Sequence, residues 1–159
     1  MAILEGLGPK GKMFDELPVG DYLFEVGEPG DKGWVSEVSD QDNPKLTMSF
    51  INWRLRVLEP EEFNGKPFFH STMFYASPEK IAMAKRPYDP QGFFYQFMAA
   101  IGAAVKDGNE AVILDDYLTD GEVDLDKTIG LRFHGRVVKQ TGKDNKERIQ
   151  LDSSTVYPD

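Results

Sequence analysis

Apolar and polar residues alternate with a period of two along two neighbouring stretches, and the alternation predicts a β-hairpin over residues 45–75. The first arm reads Leu46-Thr47-Met48-Ser49-Phe50-Ile51-Asn52-Trp53-Arg54-Leu55-Arg56-Val57, and the second Pro67-Phe68-Phe69-His70-Ser71-Thr72-Met73-Phe74-Tyr75. Both are rich in β-branched and aromatic residues, as half-buried strands are. Pro60 and then Asn64-Gly65, a pair that tolerates positive φ, mark the turn zone. The phase changes midway through the first arm. Leu46, Met48 and Phe50 are its apolar positions before the change, and Ile51, Trp53, Leu55 and Val57 after it. One face stays apolar throughout only if a residue is inserted near Phe50-Ile51, which predicts a β-bulge there and turns Asn52, Arg54 and Arg56 outward. A long bulged strand is what a small barrel needs to wrap from one side to the other.

The same reading extends to the flanks. Residues 1–16 carry Gly6, Gly8, Pro9 and Gly11 without periodicity and read as a flexible arm ahead of a single domain over 17–159. Leu17-Pro18-Val19-Gly20-Asp21 is a turn that launches a strand with Tyr22, Phe24 and Val26 on one face. Residues 27–43 form a long glycine-containing connection holding Lys32 and Trp34. Ser77-Pro78 starts a short helix to Lys85, and Asp89-Pro90 a second one. In the second helix Phe94, Phe97, Met98, Ile101 and Val105 share an arc of about 100°. Gly102 and Gly108 punctuate its end, and residues 111–118 are a short apolar piece, helix or strand. A strand over 129–138 places Leu131, Phe133 and Val137 on one face and Arg132, His134 and Arg136 on the other, with Gly135 permitting a bend or bulge. Residues 141–146 turn the chain into a last strand beginning at Arg148. The order is strand, long strand, strand, helical insert, strand, strand. It predicts a mainly β fold with a helical insert: an OB-fold-like five-stranded barrel with the helix between strands three and four. SH3-like barrels and small sandwiches remain alternatives.

Composition narrows the class. With 159 residues, 40% of them hydrophobic and 12% aromatic, the chain is long and apolar enough for one packed domain. No run of 18 apolar residues predicts a membrane span. The first residues lack a secretory pattern and cysteine is absent, which together point to the cytoplasm and exclude disulfides and thiolate metal sites. The formal net charge is −9, which does not favour non-specific nucleic-acid binding by the chain as a whole. The charges are segregated, however. Asp107, Glu110, Asp115, Asp116, Asp120, Glu122, Asp124 and Asp126 form a block without a cation, followed by Lys127, Arg132, Arg136, Lys139, Lys143, Lys146 and Arg148. Two ordinary solvated surfaces would look the same. The acidic block has three readings: an inert loop face, a phosphate mimic folded near the cations, or a divalent-ion site that lacks EF-hand spacing.

The chemistry these residues suggest is binding. His70 and His134 are the only histidines, and neither stands in a paired motif. Gly-x-Ser-x-Gly, the P-loop, the dinucleotide fingerprint and His-Glu-x-x-His are absent, so no enzyme activity and no cofactor or metal are expected. A single-strand nucleic-acid groove needs cations that track phosphates and flat rings that stack on bases. The cationic candidates are Arg54, Arg56, Arg132 and Arg136 on strand faces, and Lys139, Lys143, Lys146 and Arg148 about the last hairpin. The aromatic candidates are Trp34, Phe68, Phe74 and Tyr75. Trp34 could equally plug a barrel end. Phe68, His70, Thr72 and Phe74 share one strand face and Phe69, Ser71, Met73 and Tyr75 the other, and periodicity leaves open which is the core face.

Several stretches resemble one family. Leu17-Pro18-Val19-Gly20-Asp21-Tyr22, residues 50–57 with Glu59, Asn64-Gly65-Lys66-Pro67-Phe68-Phe69, Phe97-Met98-Ala99-Ala100-Ile101-Gly102, and the strand over 130–138 with its terminal hairpin are similar, in this order, to the OB-fold single-stranded-DNA-binding proteins of phage replication and recombination gene clusters. The resemblance covers roughly residues 17–157. It implies sequence-independent binding and protection of single-stranded DNA in the host cytoplasm, with replication or recombination proteins as partners and possible homo-oligomers. Many single-strand binders also end in an acidic tail, and Ser153-Ser154-Thr155-Val156-Tyr157-Pro158-Asp159 departs from that pattern. The rival reading is a non-enzymatic interaction or virion-structural β-barrel with no nucleic-acid role.

Overall fold

The computed structural model describes residues 2–3, 17–39, 47–74, 90–108, 110–142 and 144–159. The rest of the expected N-terminal arm, the helix expected over 77–85, Tyr75, Lys143 and the side chain of Phe74 lie outside the described residues.

The described residues are mainly β, with one α-helix among them. The main sheet contains β1 (Gly20–Val26), β2 (Val35–Ser39), β3 (Thr47–Glu59), β4 (Pro67–Phe74), β9 (Arg132–Thr141) and β10 (Glu147–Pro158). The strand order is β10-β9-β1-β3-β2, with β4 also paired to β3, and every pair is antiparallel. Between β4 and β9 the chain forms α1 (Pro90–Ala100) and two small hairpins, β5 (Ala104–Asp107) with β6 (Glu110–Ile113), and β7 (Leu118–Thr119) with β8 (Glu122–Val123). No described helix is long and apolar enough to cross a membrane.

The expected hairpin is present as β3–β4. Its turn combines a 3-10 turn at Glu61–Phe63 with Asn64 at φ −54° and ψ 131° followed by Gly65 at φ +89°. Lys66 N–H donates to Phe63 O across that pair, closing a type II turn whose third position requires positive φ. The expected bulge at Phe50-Ile51 is absent. The register runs without a break from Ser49↔Phe74 through Ile51↔Thr72 to Arg56↔Pro67. The reason is that Ser49 is buried in phase with Ile51, Trp53, Leu55 and Val57, so a polar residue occupies the inward position that the apolar pattern had assigned elsewhere. The register shift falls at the far end of β3, where Leu23↔Glu59 gives way to Phe24↔Val57 and Leu58 is the extra residue.

Three further expectations change. The connection over 27–43 contains β2, which pairs with β3 from Val35↔Ile51 to Ser39↔Thr47. The helix stops earlier than its apolar stripe. Ala103 N–H donates to Met98 O and Gly102 N–H to Ala99 O, with Gly102 at φ +91°, which is a Schellman termination. Val105 therefore falls in β5 and is exposed, while Phe94, Phe97, Met98 and Ile101 pack inward. The apolar piece over 111–118 is a strand followed by a 3-10 turn at Asp115–Tyr117.

The core is a continuous run of rings. Phe24 lies 5.8 Å from Phe68 and 5.5 Å from Phe133, Phe133 lies 5.8 Å from Phe97, and Phe97 lies 5.0 Å from Trp53 (centroid distances). Trp53 is fully buried, and its indole N–H donates to Thr72 Oγ1 at 3.0 Å, so the polar edge of the largest core side chain is satisfied.

The sheet is open rather than a closed barrel. Among the described residues β4 and β10 do not pair, although each presents an edge to the other. β10 leaves its regular register at that point. Asp152↔Arg136 is followed by Tyr157↔His134, so residues 153–156 stand opposite Gly135 alone. Ser154 N–H and Oγ both bond to Asp152 Oδ1, Thr155 Oγ1 donates to Asp152 O, and Arg136 N–H donates to Thr155 Oγ1, which fixes the excursion. Gly135 is required beneath it, since a Cβ there would lie 2.7 Å from Leu151 Cδ1 and 3.2 Å from Val156 Cγ2.

Candidate nucleic-acid interface

The outer face of the sheet carries the cations. On β3 the inward phase of Trp53, Leu55 and Val57 turns Asn52, Arg54 and Arg56 outward. On β9 the inward phase of Phe133, Gly135 and Val137 likewise turns Arg132, His134 and Arg136 outward. The antiparallel registers align these residues in rows. Arg56, Glu25 and Arg132 form one, since Glu25 is opposite both arginines. Arg56 bonds Glu25 Oε1 at 2.7 Å, and Arg132 Nε lies 3.4 Å from Glu25 Oε2. Asp21 and Arg136 form a second row at 3.5 Å. At the end of the sheet His134 Nε2 meets Asp159 Oδ1 at 2.8 Å, and its ring stacks on Tyr157 at 4.8 Å and 14°.

Three of the four arginines on the outer face are thus paired with two carboxylates of β1, Glu25 and Asp21. Arg54 has no ion pair among the described residues. Its cross-strand neighbour on β4 is Phe69, a phenyl ring 68% exposed. Directly opposed side chains on an antiparallel pair have Cβ atoms roughly 4.5–5.5 Å apart. A bare ring and an unpaired guanidinium therefore stand side by side, flanked by Pro67 and by Ser71, whose hydroxyl donates to Asn52 Oδ1 at 3.5 Å. Asn52 is already engaged, as its amide also donates to Ser36 Oγ. Below Arg54 a concavity of about 380 Å³ is lined by Arg54, Arg56, Glu25 and Gly27.

The aromatic candidates are redistributed. Phe68 points into the core against Phe24, so it is not an outward ring, and Phe69 takes that position. Trp34 is half-buried. It packs edge-on against Trp53 at 5.7 Å, and its N–H donates to Asp126 Oδ1 at 2.8 Å, so it closes the end of the core and is not a free platform. Among the basic residues of the last hairpin, Arg148 is bound to Asp144 at 2.7 Å. Lys139 and Lys146 are exposed and have no ion pair among the described residues.

The acidic block is folded. Asp124 accepts from Asp126 N–H and from Thr119 Oγ1, holding the turn that begins the 3-10 segment Leu125–Thr128, and Asp126 takes the Trp34 indole. Lys127 Nζ donates to Leu118 O. Among the described residues no three His, Asp or Glu side chains are placed to hold a metal ion.

His70 stands in no paired motif of the sequence. It faces inward on β4, with its ring 4.8 Å from that of Phe97. Burial pulls its pKa down to about 4, so the imidazole is neutral at pH 7, and Nε2 is buried without a hydrogen-bond partner among the described residues. No protein-family model and no curated protein matches the chain.

Proposed function

We propose that the protein binds single-stranded DNA without sequence preference on the outer face of β3–β4, as a non-catalytic protein acting in replication or recombination of phage type. The observation that carries the reading is the pairing of exposed Phe69 with Arg54, which offers one stacking platform and one uncommitted cation in a chain of net charge −9. The strand pairing supports an OB-like reading. β1 lies between β3 and β9, β4 follows β3, β10 follows β9, and the registers make β4 and β10 run in the same direction across the gap. A face over the second and third strands of such a sheet, with the β9–β10 hairpin at its margin, is where that fold takes oligonucleotides.

The number of available cations sets the expected behaviour. Arg54, Lys139 and Lys146 could each neutralise one phosphate, so log K should fall with log salt at a slope of about −2. The test is fluorescence anisotropy of a labelled thymine oligonucleotide over a salt series, with matched duplex as control. A labelled strand is preferable to intrinsic fluorescence, because Trp34 and Trp53 both face the core. Saturable, salt-sensitive binding that is much weaker for duplex supports the proposal. No binding at low salt removes it and leaves the interaction-protein reading, to be pursued by partner capture.

A further inference from the structure

We propose that the open seam between β4 and β10 takes one nucleobase of the bound single strand, inserted edge-first between the sheet and α1. The inference rests on the single-strand reading above and assigns it a second, interior contact. The seam opens into a crevice of about 670 Å³ whose walls are Phe50, Met73, Phe93 and Phe97, with His70 and Gln96 among them and Ser153 and Ser154 on the β10 side. That size lies within the roughly 300–1,000 Å³ of small-ligand sites, and the mix of apolar walls with a few polar groups is typical of them. A second concavity shares His70, Ser71, Ser153 and Ser154 and reaches Phe69, so the crevice is continuous with the exposed ring on the outer face.

The chemistry selects a flat heteroaromatic ring. A nucleobase has two apolar faces, which match phenyl and thioether walls, and a polar edge, which matches an imidazole, an amide and two hydroxyls. The neutral His70 ring can offer one donor and one acceptor, and its Nε2 has no hydrogen-bond partner among the described residues. An aliphatic ligand would leave that nitrogen unpaired, and a charged one would be desolvated beside it. Position favours a base from the strand itself. A backbone lying across Arg54 and Phe69 passes the mouth of the seam, so one residue of the strand needs only to turn inward.

The protein contains two histidines, and they sit at useful places: His70 in the crevice and His134 on the outer face of β9. The experiment is NMR of the imidazole ring resonances of the full chain saturated with a thymine oligonucleotide, run beside the anisotropy titration. The expected result is a shift of the His70 resonances with the thymine strand and none with an abasic strand of equal length. Gln96→Trp, at an exposed position on α1, should fill the crevice, abolish the His70 shift and weaken binding by about five- to fifty-fold. Ser153→Phe closes it from β10 and should do the same. If the thymine strand saturates the protein and His70 does not move, or if the shift survives both substitutions, the crevice is not a base site while the single-strand reading stands. Absence of binding in the anisotropy titration overturns both.

Discussion

Of the two long hairpins, β9–β10 is the more cationic and β3–β4 the more aromatic, and among the described residues only β3–β4 sets an unpaired cation beside an exposed ring. In β9–β10 the arginines are spent: Arg132 on Glu25, Arg136 on Asp21 and Arg148 on Asp144. Its outward ring, Tyr157, is stacked on His134. In β3–β4, Arg56 is spent on Glu25 in the same way, whereas Arg54 stands without a carboxylate beside an exposed phenyl ring. Regularity differs too. β4 pairs with β3 without interruption, while β10 leaves β9 for four residues over Gly135. A count of cations per strand therefore says little about binding. What counts is which strand lies alongside, because the cross-strand neighbour decides whether a charge meets a partner or a ligand.

The sharpest way to break the comparison is to remove what holds the regular hairpin. Trp53→Ala deletes the largest fully buried side chain and strands Thr72 Oγ1, and it should cost about 3–5 kcal/mol in chemical denaturation. A loss below about 1 kcal/mol would mean that the ring cluster is not the core. On the irregular hairpin, Gly135→Val forces side-chain volume against Leu151 and Val156 and should cost about 1–3 kcal/mol. An unchanged midpoint would show that the excursion of β10 yields freely.

Function separates the hairpins next. Phe69→Ala should weaken thymine-oligonucleotide binding by about 5- to 150-fold with unchanged stability, following the roughly 1–3 kcal/mol of a stacked base. Arg132→Ala should change affinity less than about threefold, since its guanidinium is already paired. Equal effects of the two substitutions would erase the distinction between the hairpins.

Protonation reads the interior of β4. The folded pKa of His70 lies near 4, below its ordinary value of 6.5, so the fold favours the neutral ring. The resulting stability is complete above pH 6.5 and is lost as pH falls through the window toward 4, because the unfolded chain takes up the proton first. Between pH 7.5 and 5.5 the wild type should lose about 1.4 kcal/mol more than His70→Gln, measured by urea unfolding. Parallel losses in the two proteins would place His70 in water.

The smallest effect is also the most specific. Glu25→Gln removes the one negative charge that Arg56 and Arg132 share, and it should steepen the salt slope of oligonucleotide binding by about 0.7 while tightening affinity a few-fold at low salt. An unaltered slope would mean that the strand does not cross this row.

Much of the outer sheet face was legible in advance, because a half-buried strand writes its burial into alternate residues. Arg54, Arg56, Arg132 and Arg136 were all placed outward from parity alone. Phe69 was not, because periodicity leaves open which face of residues 67–75 is the core face. The connection between β3 and β4 runs over residues 60–66, and only the register across it, Arg54↔Phe69, turns Phe69 outward and Phe68 inward. The bulge was misplaced because Ser49 is a polar residue on a buried face, and a period-two argument takes polarity for exposure. β2 was hidden because five residues with two valines are too short to stand out from a glycine-containing loop.

By itself the sequence determined the mainly β character, the hairpin at Asn64-Gly65, the helical face of Phe94, Phe97, Met98 and Ile101, and the cationic outer positions. These depend on local periodicity and on turn residues whose backbone preferences act within a few positions. Only the tertiary structure decided that Glu25 pairs with two arginines from different strands, that Trp34 is tied to Asp126, that Nε2 of His70 has no hydrogen-bond partner among the described residues, and that the sheet stays open between β4 and β10. Each of these joins residues far apart in the chain, and their meeting depends on register and on how the strands are laid side by side, which no local pattern encodes.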